Sequence, residues 1–469
     1  MHTELRWTQR PFAELLHLAW PIAVSMLSHS IMTVADTLFV SGIGASALAG
    51  VGIAGIVMFT LLCFSVGLLR GVKVLVSQAV GAQRPRDAAG YLSAGLVLAA
   101  ALGLFTCAVL EIAAPLLHHL AASVQAGDFA VTYLRLRVLS APTLLLFVAL
   151  RESCYGRGDA RAPMVASISA NIVNIALDYV FVVWCGWAVA GVAWASVAAS
   201  AIEMAVLFWA RSHDLRALPR VRLRHIVSVW RVGLPTGAQF LLEVGSLSLL
   251  TVMLSILSEI QMAAHQIVLH LLHFSFLPTN AVAEAGSVLA GQAVGANRDD
   301  LVLGVARRSM IAAGAYTALC TLIILLAARL IVGTFTDDDA LADVAVNLMY
   351  IAAVFLVADG ANMVARGILR GTGDVRYPAV ICIVCAWLFT PPLTWLLGYR
   401  AGLGAAGGWL GLCVEIMACA AILWWRLGRG HWRTAARRSR NEMTAADPST
   451  TSRDSDRTSV NERPAPCAG

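Results

Sequence analysis

About twelve apolar runs, each long enough to cross a ~30 Å hydrocarbon core with roughly 20 residues, constrain this sequence more than anything else in it. They cover approximately 15–42, 47–72, 88–110, 128–152, 161–185 and 189–211, then 228–257, 260–284, 303–330, 342–368, 376–398 and 404–428. Residues are 59% hydrophobic and 13% charged, against about a quarter charged in a water-soluble domain, so the bilayer is the solvent for this chain. The runs are too long and too continuously apolar for the alternating strands of a barrel, and helices are the expected spanning element. The fold class is therefore an all-α polytopic membrane protein with twelve transmembrane helices.

The first run exceeds a typical signal-peptide core, holds Asp36 and lacks a small-residue cleavage site, which predicts that it stays as the first helix. Ten cysteines lie mostly inside apolar runs, and the close pair Cys382 and Cys385 has no second pair to complete a zinc site. They read as small apolar fillers.

The chain also repeats itself. Gln78-Ala79-Val80-Gly81-Ala82 returns as Gln292-Ala293-Val294-Gly295-Ala296, and Pro21 returns as Pro235, both 214 positions on. Arg151 to Pro163 aligns without a gap on Arg366 to Pro378 at an offset of 215, matching at Arg151, Gly156, Gly158, Asp159, Arg161 and Pro163. Two copies of one six-span unit are fused. An even number of spans per copy makes these parallel repeats, related by an axis along the membrane normal, with a cleft between them that rocking could open to either side.

Arginines concentrate in alternate connections, after spans 2, 4, 6, 8 and 10, Arg151 counting to the connection after span 4 and Arg366 to that after span 10, with Arg216, Arg220, Arg222 and Arg224 in the link between copies. The opposite connections hold Arg135, Arg137, Arg329 and Arg400 near their edges and the acidic stretch Asp337-Asp338-Asp339. The asymmetry predicts both termini in the cytoplasm. Expected boundaries are a cytoplasmic segment 1–14, an N-lobe 15–211, a linker 212–227, a C-lobe 228–428 and a cytoplasmic tail 429–469. The polar tail composition predicts disorder and no transport role.

Ionisable residues within a span carry an insertion penalty of at least ~2.5 kcal/mol and are functional candidates by default. Glu111, Glu203, Glu284 and Glu415 fall near span ends or on a single peripheral helix. Asp36, Asp178, Glu243 and Asp359 lie deeper. Asp36 and Asp178 each stand fifteen residues beyond a proline, Pro21 and Pro163, so both sit roughly 22 Å up their helices. His29 and Thr33 share a face with Asp36, as Asn171 and Asn174 do with Asp178. Two carboxylates, two carboxamides and an imidazole fit a proton or cation site; the alternative is that Asp178 only bonds neighbouring backbone or Asn groups to fix packing. In the second copy, Glu243 has Gln239 and Ser246 on its face, and Asp359 has Asn362 and Arg366. Glu243 aligns with His29, while Asp36 aligns with Leu250. A salt bridge to Arg366 is the alternative for Asp359. His265 and His270 have no partner of metal-binding spacing and read as helix contacts.

The Pro21 to Asp36 helix, the paired Gln-Ala-Val-Gly-Ala loops, the Ala-Ala-His-Gln segment and the duplicated Gly158-Asp159-Ala160-Arg161-Ala162-Pro163 and Gly373-Asp374-Val375-Arg376-Tyr377-Pro378 resemble the multidrug and toxic compound extrusion (MATE) family over about residues 12–428. The resemblance implies a twelve-helix, V-shaped exporter that expels cationic drugs in exchange for protons or sodium ions. By position Asp36 looks like the family's first-helix acidic residue, and Asn174 with Asp178 like the first-lobe network of the DinF-like branch. Glu243 and Asp359 look like the acidic pair of the NorM-like branch, linked there to cation binding, so the chain mixes features of both branches. His270 stands where members often have Asn.

The expectation is a secondary active multidrug exporter of the inner (plasma) membrane, multi-pass and monomeric. It would antiport cationic or amphipathic small molecules against H+ or Na+ by alternating access. Coupling falls to Asp36, Asn174, Asp178, His29 and Asn171 in the N-lobe and to Glu243 and Asp359 in the C-lobe, where sodium would bind. Pro21, which lacks an amide hydrogen, is the hinge candidate; a static kink is its alternative. No cofactor, other metal or nucleic acid is implied. A flippase for lipid-linked oligosaccharides would want arginines lining the cleft, whereas the intramembrane charges read as mainly acidic. A major-facilitator protein would carry a Gly-x-x-x-Asp-Arg-x-Gly-Arg-Arg loop that is absent between spans 2 and 3, and an enzyme would need a nucleophile or metal cluster that the sequence does not present.

Overall fold

The computed structural model describes residues 5–216 and 218–445, and among them helix is the only regular element. Twelve helices are long and apolar enough to span a membrane. In the N-lobe these are α1 (Pro11–Ile43), α2 (Ala45–Gly81), α3 (Pro85–Leu120), α4 (Val124–Gly156), α5 (Arg161–Trp184) and α6 (Ala188–Ala210). The C-lobe has α7 (Leu223–Leu257), α8 (Glu259–Gly295), α9 (Asp300–Val332), α10 (Asp339–Gly371), α11 (Arg376–Arg400) and α12 (Ala405–Arg429). Proline opens α1 and α3, where a missing N–H is harmless. Ser258 and Asp338 cap α8 and α10 by accepting first-turn amides.

The duplicated loops are duplicated geometry. After α2 and α8 the residues Gln83 and Asn297 adopt left-handed φ of 56° and 59°, and the amides of Ala82 and Ala296 bond back to Gln78 and Gln292. Gly158 and Gly373, at φ of 85° and 89°, turn the chain into α5 and α11. Each following aspartate is then stapled to the end of the sixth helix of its lobe: Asp159 to Arg211, and Asp374 to Arg426 at 2.6 Å. Even the wide-turn π segments recur, Tyr179–Trp184 in α5 and Thr394–Arg400 in α11.

The lobes meet along α2–α7, α2–α8, α1–α8 and α3–α7. Glycines make this possible by letting backbones touch. A Cβ on Gly67 would lie 2.8 Å from Gly237 Cα, and one on Gly81 or Gly295 would lie 2.0 Å from the carbonyl oxygen of Gln292 or Gln78. The repeated motifs then grip each other across the seam. Gln78 donates to the Gly371 carbonyl at 2.9 Å, and Gln292 donates to the Gly156 carbonyl at 3.3 Å. This reciprocal clasp holds the arginine-rich ends together. Higher up, Ser30 of α1 meets His273 of α8 at 3.1 Å. Beyond it Val34 and Leu38 on α1 and Val252 and Ile256 on α7 remain exposed.

The tail corrects the sequence reading. The expected disorder over 429–469 begins instead with a helix, α13 (Arg433–Ala445), because Trp432, Ala436 and Met443 give it a buried apolar stripe. Ser439 donates to Gln78, and Arg440 pairs with Asp299 at 2.6 Å. Residues 446–469 of that expectation lie outside the described residues. The linker is also shorter than 212–227, since a one-turn helix (Ser212–Arg216) follows α6 and α7 starts at Leu223.

Candidate functional site

Packing of α1 on α5 and α6 brings Asp36 and Asp178 together, as their common height predicts. The two carboxyls face each other with Asn174 beside them. Ser196 of α6 donates to Asp36 Oδ2 at 3.2 Å. The remaining valences are open: Asp36 Oδ1, both Asp178 oxygens and both polar atoms of Asn174 are buried without a protein partner, and Asp178 and Asn174 are 0% exposed. Carboxylate oxygens only accept hydrogen bonds, so two facing carboxylates need a proton or cation between them. Burial of orphaned acceptors is costly, and each such oxygen calls for a donor or a cation. One turn beyond the pair, a pocket of about 380 Å³ lined by Leu38, Phe39, Ile43, Val182, Val183 and Ala188 adds apolar surface.

His29 and Asn171 do not join that pair. Asn171 donates to Ser28 and leaves its Oδ1 unpartnered. His29 Nε2 lies 3.1 Å from Glu203 Oε1 on α6, a residue its helix position placed at the periphery but which is buried at 3% exposure.

The C-lobe resolves its charges differently. Arg366 Nη1 donates to both oxygens of Glu243, at 3.0 and 3.2 Å. Gln239 donates to Glu243 at 2.8 Å and accepts from Arg370 at 2.9 Å. The carboxylate that Arg366 grips is thus Glu243 on another helix, not Asp359 seven residues back. Asp359 is 7% exposed and sits beside Asn362. Ser246 turns away to the Ala386 carbonyl. His265 is a core residue, edge-on to Trp409.

Sequence reasoning missed the centre of the seam. Lys73 of α2 pairs with Glu284 of α8 across the lobes and with Glu152 of α4 at 3.7 Å, while Arg70 reaches Glu284 at 3.3 Å. Glu284 is thus buried at 8% exposure, not peripheral. Arg151 and Arg366, counted as connection arginines, lie inside α4 and α10 and pair with Glu152 and Glu243 at 3.0 Å. The intramembrane charges are therefore mixed rather than mainly acidic. The available signal was Arg70 and Lys73 themselves, two cations in an apolar run. Glu111, by contrast, is half exposed and paired with Arg135.

Twelve spanning helices in two parallel lobes, clasped at one end and lined with buried acids, define a polytopic membrane transporter. The MatE family model matches residues 21–180 and 235–396, one stretch in each lobe. The chain belongs to the multidrug and toxic compound extrusion family, whose members are transporters and not enzymes. Among its relatives, a probable multidrug resistance protein NorM of Pseudomonas putida is 31% identical over 427 residues, covering 87% of this chain and 92% of the relative. That of Pseudomonas syringae pv. tomato is 29% identical and covers 92% and 97%. A multidrug resistance MATE family transporter of the MOP superfamily, solved in an outward-facing conformation, has a similar fold with a TM-score of 0.83 at 20% identity, covering 91% of this chain and 97% of that one. A MOP superfamily transporter from Pyrococcus furiosus, described by a reversed polarity of its binding pocket, gives 0.84 at 20% identity, covering 91% and 96%.

Proposed function

We propose that this chain is a secondary active multidrug exporter of the inner membrane that exchanges cationic or amphipathic small molecules for protons. The observation that carries the reading is the buried Asp36–Asp178 pair with its open valences. The names of the NorM relatives support the drug class.

In this mechanism a deprotonated pair attracts an organic cation whose apolar part rests on the neighbouring pocket. Protonation neutralises the pair, lowers its affinity for the cation and releases it. With both termini in the cytoplasm, as the arginine asymmetry favours, the clasped end faces inward and the conformation is outward-facing. Return of the proton to the cytoplasm needs the Gln78–Gly371 and Gln292–Gly156 clasp and the Lys73–Glu284 pair to separate, and Pro21 gives α1 a place to bend. A proton entering as a monovalent cation leaves moves no net charge, so the exchange draws on the pH difference, which supplies about 1.4 kcal/mol, a tenfold substrate gradient, per pH unit.

The proton is favoured over sodium because Glu243 already holds a guanidinium that a sodium ion would have to displace. The test is efflux of a cationic dye from proteoliposomes with pH and sodium gradients imposed separately. A pH gradient alone should drive efflux. Drive by sodium alone, lost in Glu243→Gln, would instead transfer coupling to Glu243 and Asp359.

A further inference from the structure

The N-lobe holds a second acid–base pair that the coupling site leaves unused. Glu203 Oε1 lies 3.1 Å from His29 Nε2, with the glutamate side chain 4% exposed and the imidazole 35%. Ser167 donates to the same carboxylate oxygen at 2.7 Å and accepts from Ser25 at 2.9 Å. From α4 the charged neighbour is Arg151, which is itself engaged by Glu152 at 3.0 Å. From α5 the neighbours are the neutral Ser167 and Asn171, and from α8 the titratable His273 meets Ser30, the residue after His29, at 3.1 Å. The counter-ion of this buried carboxylate is thus an imidazole, whose charge can change, where Glu243 has a guanidinium, whose charge cannot. One proton can be held as carboxylate with imidazolium or as carboxylic acid with imidazole, and a second breaks the ion pair.

Position completes the case. His29 is seven residues before Asp36 on α1, about 10 Å along the helix toward the arginine-rich end. The amides in this stretch, Asn171 Oδ1 and both polar atoms of Asn174, are buried and unpartnered, which suits a short file of water between the two pairs.

Resting on the proton-coupled reading, we propose that His29 and Glu203 form a second proton station, which receives the coupling proton from Asp36–Asp178 on its way inward. In the transfer an O–H bond of the protonated aspartate pair breaks and an N–H bond forms on His29 through water. Glu203 holds the imidazolium that results, and the aspartate pair regains its negative charge for the next substrate.

The experiment uses the full chain in proteoliposomes, with ethidium as the probe, and compares Glu203→Gln, Glu203→Asp, His29→Gln and Asp36→Asn. Equilibrium ethidium binding, pH-driven efflux and its pH profile are measured for each. Glu203→Gln and His29→Gln should bind ethidium within about twofold of wild type. Their efflux should fall by at least about tenfold, a rise of about 1.4 kcal/mol in the barrier to proton transfer, and one limb of the pH profile should vanish. Glu203→Asp should recover part of both. Wild-type rates and profiles in Glu203→Gln and His29→Gln overturn the station, and with Asp36→Asn inactive they leave the coupling reading intact. Loss of ethidium binding in both, with the profile unchanged in shape, assigns the pair to structure and also overturns it. An active Asp36→Asn beside inactive Glu203→Gln and His29→Gln sinks the Asp36 reading and, with it, the hand-over from Asp36–Asp178 that defines the station.

Discussion

At one point of the repeat the two lobes place different chemistry. His29 in the N-lobe meets Glu203, and its aligned partner Glu243 in the C-lobe meets Arg366. The N-lobe keeps titratable groups facing titratable groups, with unpaired oxygens on Asp36 and Asp178. In the C-lobe a permanent cation neutralises the equivalent acid. Duplication therefore preserved the frame, visible in the staples Asp159–Arg211 and Asp374–Arg426, while the charges diverged. The frame is held by loop geometry and backbone approach, which tolerate little change; a charge needs only a partner on a neighbouring helix, and partners can be exchanged.

The contrast breaks most sharply at Asp36. Asp36→Asn should abolish pH-driven dye efflux while the protein still reaches the membrane, and Glu243→Gln should retain a substantial rate; equal loss in both would erase the distinction between lobes. Next, Arg366→Gln strands the Glu243 carboxylate. Removing one partner of a buried pair costs about 3–5 kcal/mol, and with Glu243 24% exposed about 2–3 kcal/mol is expected here after allowing for solvent screening. Thermal unfolding in detergent should show that loss, and it should be relieved in the double variant with Glu243→Gln.

A smaller effect is expected at the clasp the lobes share. In Gly295→Ala the new methyl meets the Gln78 carbonyl, an overpacking of about 1–3 kcal/mol. Amide exchange in 78–84 and 292–298 should accelerate about tenfold or more; unchanged exchange would mean the lobes are not held there. The least effect is expected from Pro21→Ala. It restores one backbone donor to α1, a continuous helix also held by its packing on α5 and α8, so efflux should stay within about threefold of wild type. A near-complete loss would make Pro21 the hinge itself.

Much of the fold was legible because spanning is a local property. Twelve apolar runs and two pairs of loop motifs were enough for twelve helices in two parallel copies. Asp36, Asn174 and Asp178 were legible too, since a proline-to-acid spacing fixes height and helical periodicity fixes face. Glu203 and Glu284 were not, because position along one helix does not say which neighbour it meets. Arg70 and Lys73 were passed over for the same reason, and Arg151 and Arg366 were assigned to connections because helix ends are poorly marked in apolar sequence. The tail helix escaped because its average composition is polar while its burial rests on Trp432, Ala436 and Met443.

The sequence alone determined the solvent, the number of spans and the twofold repeat, since each follows from transfer free energy and chain geometry within short segments. Only the tertiary structure decided which charges meet: His29 with Glu203, Glu243 with Arg366, Lys73 with Glu284. These partners lie on different helices, and in a low-dielectric interior the state of a charge is set by whichever group packing brings within a few ångströms.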